Sequence, residues 1–221
     1  MRSRCAITDT YMYLIVSKGF RLVVNVTDPS TDFKDTPVNG MKLIGVHVGA
    51  GLDAPSVSST YSPVFFQPNN NTIQMATGSV APWGIVMSDS PSDPTASPFV
   101  YDLGINIGGG TNGFGVPTNP LNAVYPCPAA YAPKTGTFAV CDMGFDAYAH
   151  PRLLVRFIEG ETKGWYDEPE NVPHNCVAVK LLPECARLDL GEAKGQEGEV
   201  WDTLCYQNLR NVDWSRMKAC Y

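Results

Sequence analysis

The hydrophobic positions of this chain recur every second residue far more often than every third or fourth. In Phe20-Arg21-Leu22-Val23-Val24-Asn25-Val26, the residues Phe20, Leu22, Val24 and Val26 share one face of an extended segment, while Arg21 and Asn25 take the other. Ile44, Val46 and Val48 repeat the pattern, as do Val177, Val179 and Leu181. Short apolar stretches rich in β-branched and aromatic residues predict strands over 20–26, 41–48, 64–67, 72–76, 84–87, 100–107, 137–141, 153–158 and 176–182. Turn formers punctuate them at Asp28-Pro29-Ser30, Asn39-Gly40, 69–71, 89–98 and 108–120. Alternation between a dry and a wet face belongs to antiparallel sheets, and no strand–helix–strand rhythm appears. The fold class expected is mainly β: a single domain of antiparallel sheets, sandwich or barrel-like, over 17–221, preceded by an N-terminal extension at 1–16.

The acidic residues refine this picture. Residues 1–150 contain Asp but no Glu; every Glu falls later. Glu suits helices and Asp suits turns, so the tail is where a helix is expected. Val200, Leu204, Leu209 and Val212 recur near helical spacing, which predicts an α-helix at about 198–212, fastened to the sheet through Cys205.

Composition narrows the function classes. With 16 Lys+Arg against 22 Asp+Glu, the net charge is −6, the opposite of a nucleic-acid footprint. No apolar run approaches the ~20 residues that cross a bilayer. Only 17% of residues are charged, below the roughly 25% of an average globular domain. Together with 7 Cys this composition suggests a secreted, extracellular protein. Arg2 and Arg4 precede an apolar stretch, Tyr11 to Val16, that is too short for a signal peptide. Secretion is therefore expected from cysteines and composition, and not from an address. Asn25-Val26-Thr27 and Asn70-Asn71-Thr72 match the glycosylation pattern, making Asn25 and Asn70 candidate glycan carriers.

No motif announces catalysis. Gly108-Gly109-Gly110-Thr111-Asn112-Gly113 has dinucleotide-loop spacing, but Pro117 and Pro120 forbid the helix that would hold a pyrophosphate. His47, His150 and His174 stand far apart, so neither a metal nor another cofactor is expected. Asp28, Asp32, Asp35 and Asp53 are the carboxylates from which a glycosidase pair would be drawn.

The segment from Cys127 to Cys141 carries the most information. A Cys127–Cys141 disulfide would close a loop of roughly 15 residues and stabilise it by about 3 kcal/mol. Pro126, Pro128 and Pro133 stiffen its first half, so the loop would present Tyr131, Pro133 and Lys134 to a partner at little ordering cost. Cys185–Cys205 is the second bridge expected, with Cys5, Cys176 and Cys220 unassigned.

Several stretches resemble a family of small secreted proteins of filamentous fungi whose domain is of unknown function: 17–28, Gly45-Val46-His47-Val48-Gly49-Ala50-Gly51, 120–141, His150-Pro151-Arg152 and 176–185. The resemblance implies an effector-like protein of plant-pathogenic fungi, and inhibition of a host papain-like cysteine protease is one role it implies. The functional expectation is a secreted, effector-like binding protein that inhibits an extracellular host protease through a rigid loop. Its partner would then be a host protein, not nucleic acid or membrane, and the protein would not be an enzyme. The alternative is a glycan or cell-wall binder or a glycoside hydrolase.

Overall fold

The computed structural model describes residues 13–68, 71–118, 128–145, 151–160, 172–189, 191 and 200–212. Twelve strands run in chain order: β1 (Leu14–Ser17), β2 (Gly19–Val26), β3 (Lys42–Gly49), β4 (Leu52–Ser58), β5 (Phe65–Phe66), β6 (Gln74–Met75), β7 (Trp83–Met87), β8 (Phe99–Ile107), β9 (Gly136–Phe145), β10 (Pro151–Glu159), β11 (Cys176–Ala186) and β12 (Thr203–Tyr206). The mainly β expectation holds, and the open choice between sandwich and barrel resolves to a closed barrel. Its ring runs β2–β11–β9–β10–β4–β8–β7–β6–β5 and back to β2, every neighbour antiparallel. β3 is an additional strand, hairpinned to β4, and β1 and β12 form a ribbon outside the ring.

Alternation explains the interior. Phe20, Leu22, Val24 and Val26 of β2 point inward with Val177, Val179 and Leu181 of β11, and all seven are buried. They meet Phe138 and Val140 of β9, Val155 and Phe157 of β10 and Ile105 of β8. The Phe138 and Phe157 rings meet edge to face with centroids 5.7 Å apart, a geometry worth about 1 kcal/mol beyond burial. A barrel of this size is filled by its own side chains. Phe114 and Val116, on the glycine-rich segment after β8, insert into the core from one end. Gly84 permits this, because a Cβ there would collide with the backbone of Gly110. A void of about 10 Å³ lies among Leu22, Leu43, Ile73, Phe114 and Phe138, too small for anything beyond a single water.

Ile44, Val46 and Val48 share one face, as their alternation predicts; it is the outer one, and Leu43 is the β3 residue that enters the core. One expectation is corrected. The C-terminal helix is absent from 200–212, where Thr203–Tyr206 is a strand and Leu209–Asn211 a single 3-10 turn. All four residues of β12 are buried. It lies between β1, with which Leu14–Ser17 pairs fully, and β11, where Glu184 faces Tyr206 in parallel. A strand covered on both faces reads as a continuous apolar run, and weak helical spacing within it is overridden by tertiary context. Tyr206, Leu209 and Val212 pack on Val23 and Leu182, so the ribbon seals the outer wall of β2 and β11.

Candidate functional site

The segment 128–135 descends along one end of the barrel into β9, and the structure pins it at three points. Tyr131 exchanges both backbone hydrogen bonds with Gly115, at 3.2 and 2.9 Å, and its hydroxyl donates to Asn71 Oδ1 at 2.8 Å. A Cβ at Gly115 would strike the Tyr131 phenol, so the ring keeps this seat only over a glycine. Burial pushes the Tyr131 hydroxyl above its usual pKa. Pro133 lies against Gly113, whose φ of 94° and lack of a side chain allow the approach.

Lys134 is the third anchor. Its Nζ sits 3.0 Å from the Tyr101 hydroxyl, 3.3 Å from both Glu159 carboxylate oxygens, and 4.5 Å from the Tyr101 ring centroid. Tyr101 in turn donates to Glu159 Oε2 at 2.6 Å. The Tyr101 hydroxyl, followed by Glu159, holds the Lys134 ammonium above its ordinary pKa. The Tyr101 hydroxyl, with Lys134 behind it, holds the Glu159 carboxyl below its own. Lys134 is therefore half-buried and spoken for, and the residues that project from the loop are Tyr131, Pro133 and Thr135. Tyr101 and Glu159 were missed from sequence: they sit 58 residues apart, and only the β8–β10 pairing of Tyr101 with Phe157 and of Phe99 with Glu159 brings them together.

The cysteine pairing differs from the expectation. Cys141 is bonded to Cys176, not to Cys127, which lies outside the described residues. The two face each other directly across β9 and β11, so their Cα atoms are 3.9 Å apart and the side chains share one face. The loop's rigidity thus comes from Gly115, Asn71 and the Tyr101–Glu159 pair, with no contribution from a bridge to Cys141. Cys185 and Cys205 are joined, tying β11 to β12.

The remaining candidates disperse. Asp28 caps a 3-10 turn, and hydrogen bonds from Ser30 hold its carboxyl below the usual range. Asp32 accepts the N–H groups of Phe33, Val38 and Asn39 at 2.8–3.2 Å, and Asp35 is exposed. Asp53 Oδ1 lies 3.3 Å from His47 Nδ1. His174 is exposed and His150 lies outside the described residues. Among the described residues, no three His, Cys, Asp or Glu side chains form a group able to hold a metal ion. Asn25 is half-buried on the outer face of β2 opposite Lys180, and Asn70 lies outside the described residues. The glycines at 108–113 form a loop that no helix follows among the described residues.

What the geometry defines is a disulfide-tied antiparallel barrel with a packed interior and a loop braced against one end. The chain belongs to a family of matching domains: a model described as "Domain of unknown function (DUF7907)" covers residues 17–185. It is also 31% identical over 221 residues, 95% of each chain, to "Antigenic protein SchS34" of the fungus Stachybotrys chartarum. No solved structure matches the chain. The family match ends at Cys185, so the β12 strand that Cys185 tethers lies beyond it. No helix among the described residues is long and apolar enough to cross a membrane. Two disulfides and an antigenic fungal relative are consistent with a secreted protein.

Proposed function

We propose that this is a secreted, effector-like fungal protein that acts by binding, with the braced loop 128–135 as its contact surface and an extracellular papain-like cysteine protease of the host as its target. The observation that carries the reading is the loop itself. Tyr131 and Pro133 project from a backbone fixed on both sides, while the side chains between and beyond them hold it in place. Such a surface loses little conformational freedom on binding, which is how a small contact patch achieves useful affinity. Tyr131 supplies an aromatic face with a polar tip, a residue type enriched at binding hot spots. The filled barrel interior leaves the outside of the molecule as the place for recognition.

Purified protein titrated into a papain-like protease with a fluorogenic peptide tests the target. Inhibition at low micromolar protein that is lost in Tyr131→Ala supports it; undiminished hydrolysis removes the protease. A pull-down from host extracellular fluid, comparing wild type with Tyr131→Ala, tests the loop separately. The glycan-directed alternative gains nothing from the structure, where Asp28 and Asp32 serve as caps.

A further inference from the structure

Past its first two residues, one edge of β3 has no strand beside it among the described residues. β4 pairs with β3 from Lys42 to Gly49, whereas β2 meets β3 only at Val23–Lys42. The Met41 carbonyl accepts the Val24 N–H at 2.7 Å. Because backbone groups alternate sides along a strand, those of Leu43, Gly45 and His47 point the same way as that carbonyl. The Val23–Lys42 bridge that the Met41–Val24 bond flanks also takes the Leu43 N–H to β2; beyond it, no strand among the described residues is there to meet Gly45 and His47. The pairing of Gly45 with Pro55 agrees, since proline has no N–H to offer at that position.

Natural edges are guarded by charge, proline or an early bulge. This one is not. Leu43 to Leu52 contains no Asp, Glu, Lys, Arg or Pro, and the register shift comes only after His47. Its outer face is apolar and open to solvent: Val46 is 43% exposed, Val48 62%, and Leu52 beside them 47%.

We propose that β3 is a self-association edge, along which two copies of this chain pair antiparallel about a two-fold axis at Val46. Ile44 of one copy then meets Val48 of the second, Val46 meets Val46, and Gly45 meets His47. The apolar positions read the same in both directions, as an isologous contact requires. Charge adds a second match. The place a Gly45 Cβ would take is filled by Asp53 Oδ2, so that carboxylate, already 3.3 Å from its own His47, also faces the His47 arriving from the second copy. Residues directly opposed in such a pair share a face, with Cα atoms about 4.5–5.5 Å apart. Two imidazoles and two carboxylates thus alternate around the axis. An unrelated strand would have to supply both the apolar alternation and a group suited to that carboxylate.

Pairing one strand edge buries less than the ~1,600 Å² of a standard interface. The association expected is accordingly weak, with a dissociation constant on the order of 100 µM. Sedimentation velocity from about 10 µM to about 1 mM, a range bracketing that constant, tests it on the full chain. Amide hydrogen exchange on the same samples locates the contact. The expected result is a shift toward dimer with rising concentration, together with new protection at the amides of Gly45 and His47. Val46→Lys should stay monomeric with an unchanged circular dichroism spectrum, and His47→Ala should dimerise several-fold more weakly. A wild-type protein that stays monomeric throughout overturns the proposal. So does a dimer that leaves those two amides unprotected, or protection that appears only on adding an unrelated strand-forming peptide.

Discussion

The Lys134 ammonium lies over the Tyr101 ring, 4.5 Å from its centroid, while the same tyrosine's hydroxyl donates to Glu159 at 2.6 Å. One phenol therefore serves a cation and an anion at once, and through them it joins the loop before β9 to β8 and β10. Lys134 and Glu159 are each about one-third exposed, at 34% and 33%, so solvent screens their attraction and the pair alone contributes little. Lys134→Ala should accordingly lower the melting temperature by no more than about 2–4 °C in a domain of this size, as differential scanning calorimetry would show.

Acid should expose the same cluster. Hydrogen bonds from Tyr101 and Lys134 hold the Glu159 carboxyl below its reference value of 4.5. A carboxyl held low contributes its full stabilisation above the unfolded value and loses it as pH falls through the folded one. Lys134 is held above its reference of 10.5, so its contribution is intact below that value and lost only as pH rises past it. Melting temperatures measured from pH 7 to about pH 3, spanning the carboxylate range, should fall less steeply for Tyr101→Phe than for wild type. Equal slopes would show that Tyr101 does not hold Glu159 low.

The disulfides give a direct chemical test. Peptide mapping without reduction should recover Cys141 linked to Cys176 and Cys185 linked to Cys205. Closing spans of 35 and 20 residues stabilises the fold by about 3–4 kcal/mol each on the chain-entropy model. A Cys141→Ser, Cys176→Ser double variant should lose about that much in urea unfolding, and a peptide joining Cys141 to Cys127 would contradict the assignment.

These pairings also show where the sequence stops being legible. The faces of β2 and β11 could be read directly, because each alternates between the packed core and an opposite wall. β3 alternates just as cleanly, but alternation does not say which face is dry, and Val46 and Val48 lie on the exposed one. The partner of Cys141 was equally hidden: it depends on β9 and β11 being neighbours in register, 35 residues apart in sequence. β12 looked helical because it is buried on both faces, which removes the period of two that identifies a strand. The loop residues Tyr131, Pro133 and Lys134 were found from proline stiffness, yet what fixes them is Gly115, Asn71, Tyr101 and Glu159, none of which lies in the same segment.

The barrel plug should be the costliest single truncation. Phe114 is fully buried, 6.3 Å from Phe138 centroid to centroid, and it arrives on a loop with no strand to hold it. Phe114→Ala removes a large side chain from a packed interior and should destabilise by about 3–5 kcal/mol, measured by urea unfolding. Val116→Ala, at a smaller and equally buried site, should cost less.

Gly115→Ala separates rigidity from contact. Gly115 is buried beneath Tyr131, so it offers no surface to a partner, but an added Cβ would force the Tyr131 ring away from its seat and break the hydroxyl bond to Asn71. Tyr131 itself remains present and becomes more exposed. If affinity came only from the aromatic surface of Tyr131, this variant would bind its partner as well as wild type or better. If it comes from a fixed loop, Gly115→Ala should weaken binding, and mainly by raising the dissociation rate, since the ordering cost then falls on the bound state. Surface plasmon resonance against a partner recovered with wild-type protein distinguishes the two. An expected loss of roughly tenfold corresponds to about 1.4 kcal/mol, the cost of immobilising about one or two rotamer-rich side chains. Unchanged kinetics in Gly115→Ala, with binding abolished in Tyr131→Ala, would keep the aromatic contact and remove the braced loop from the account.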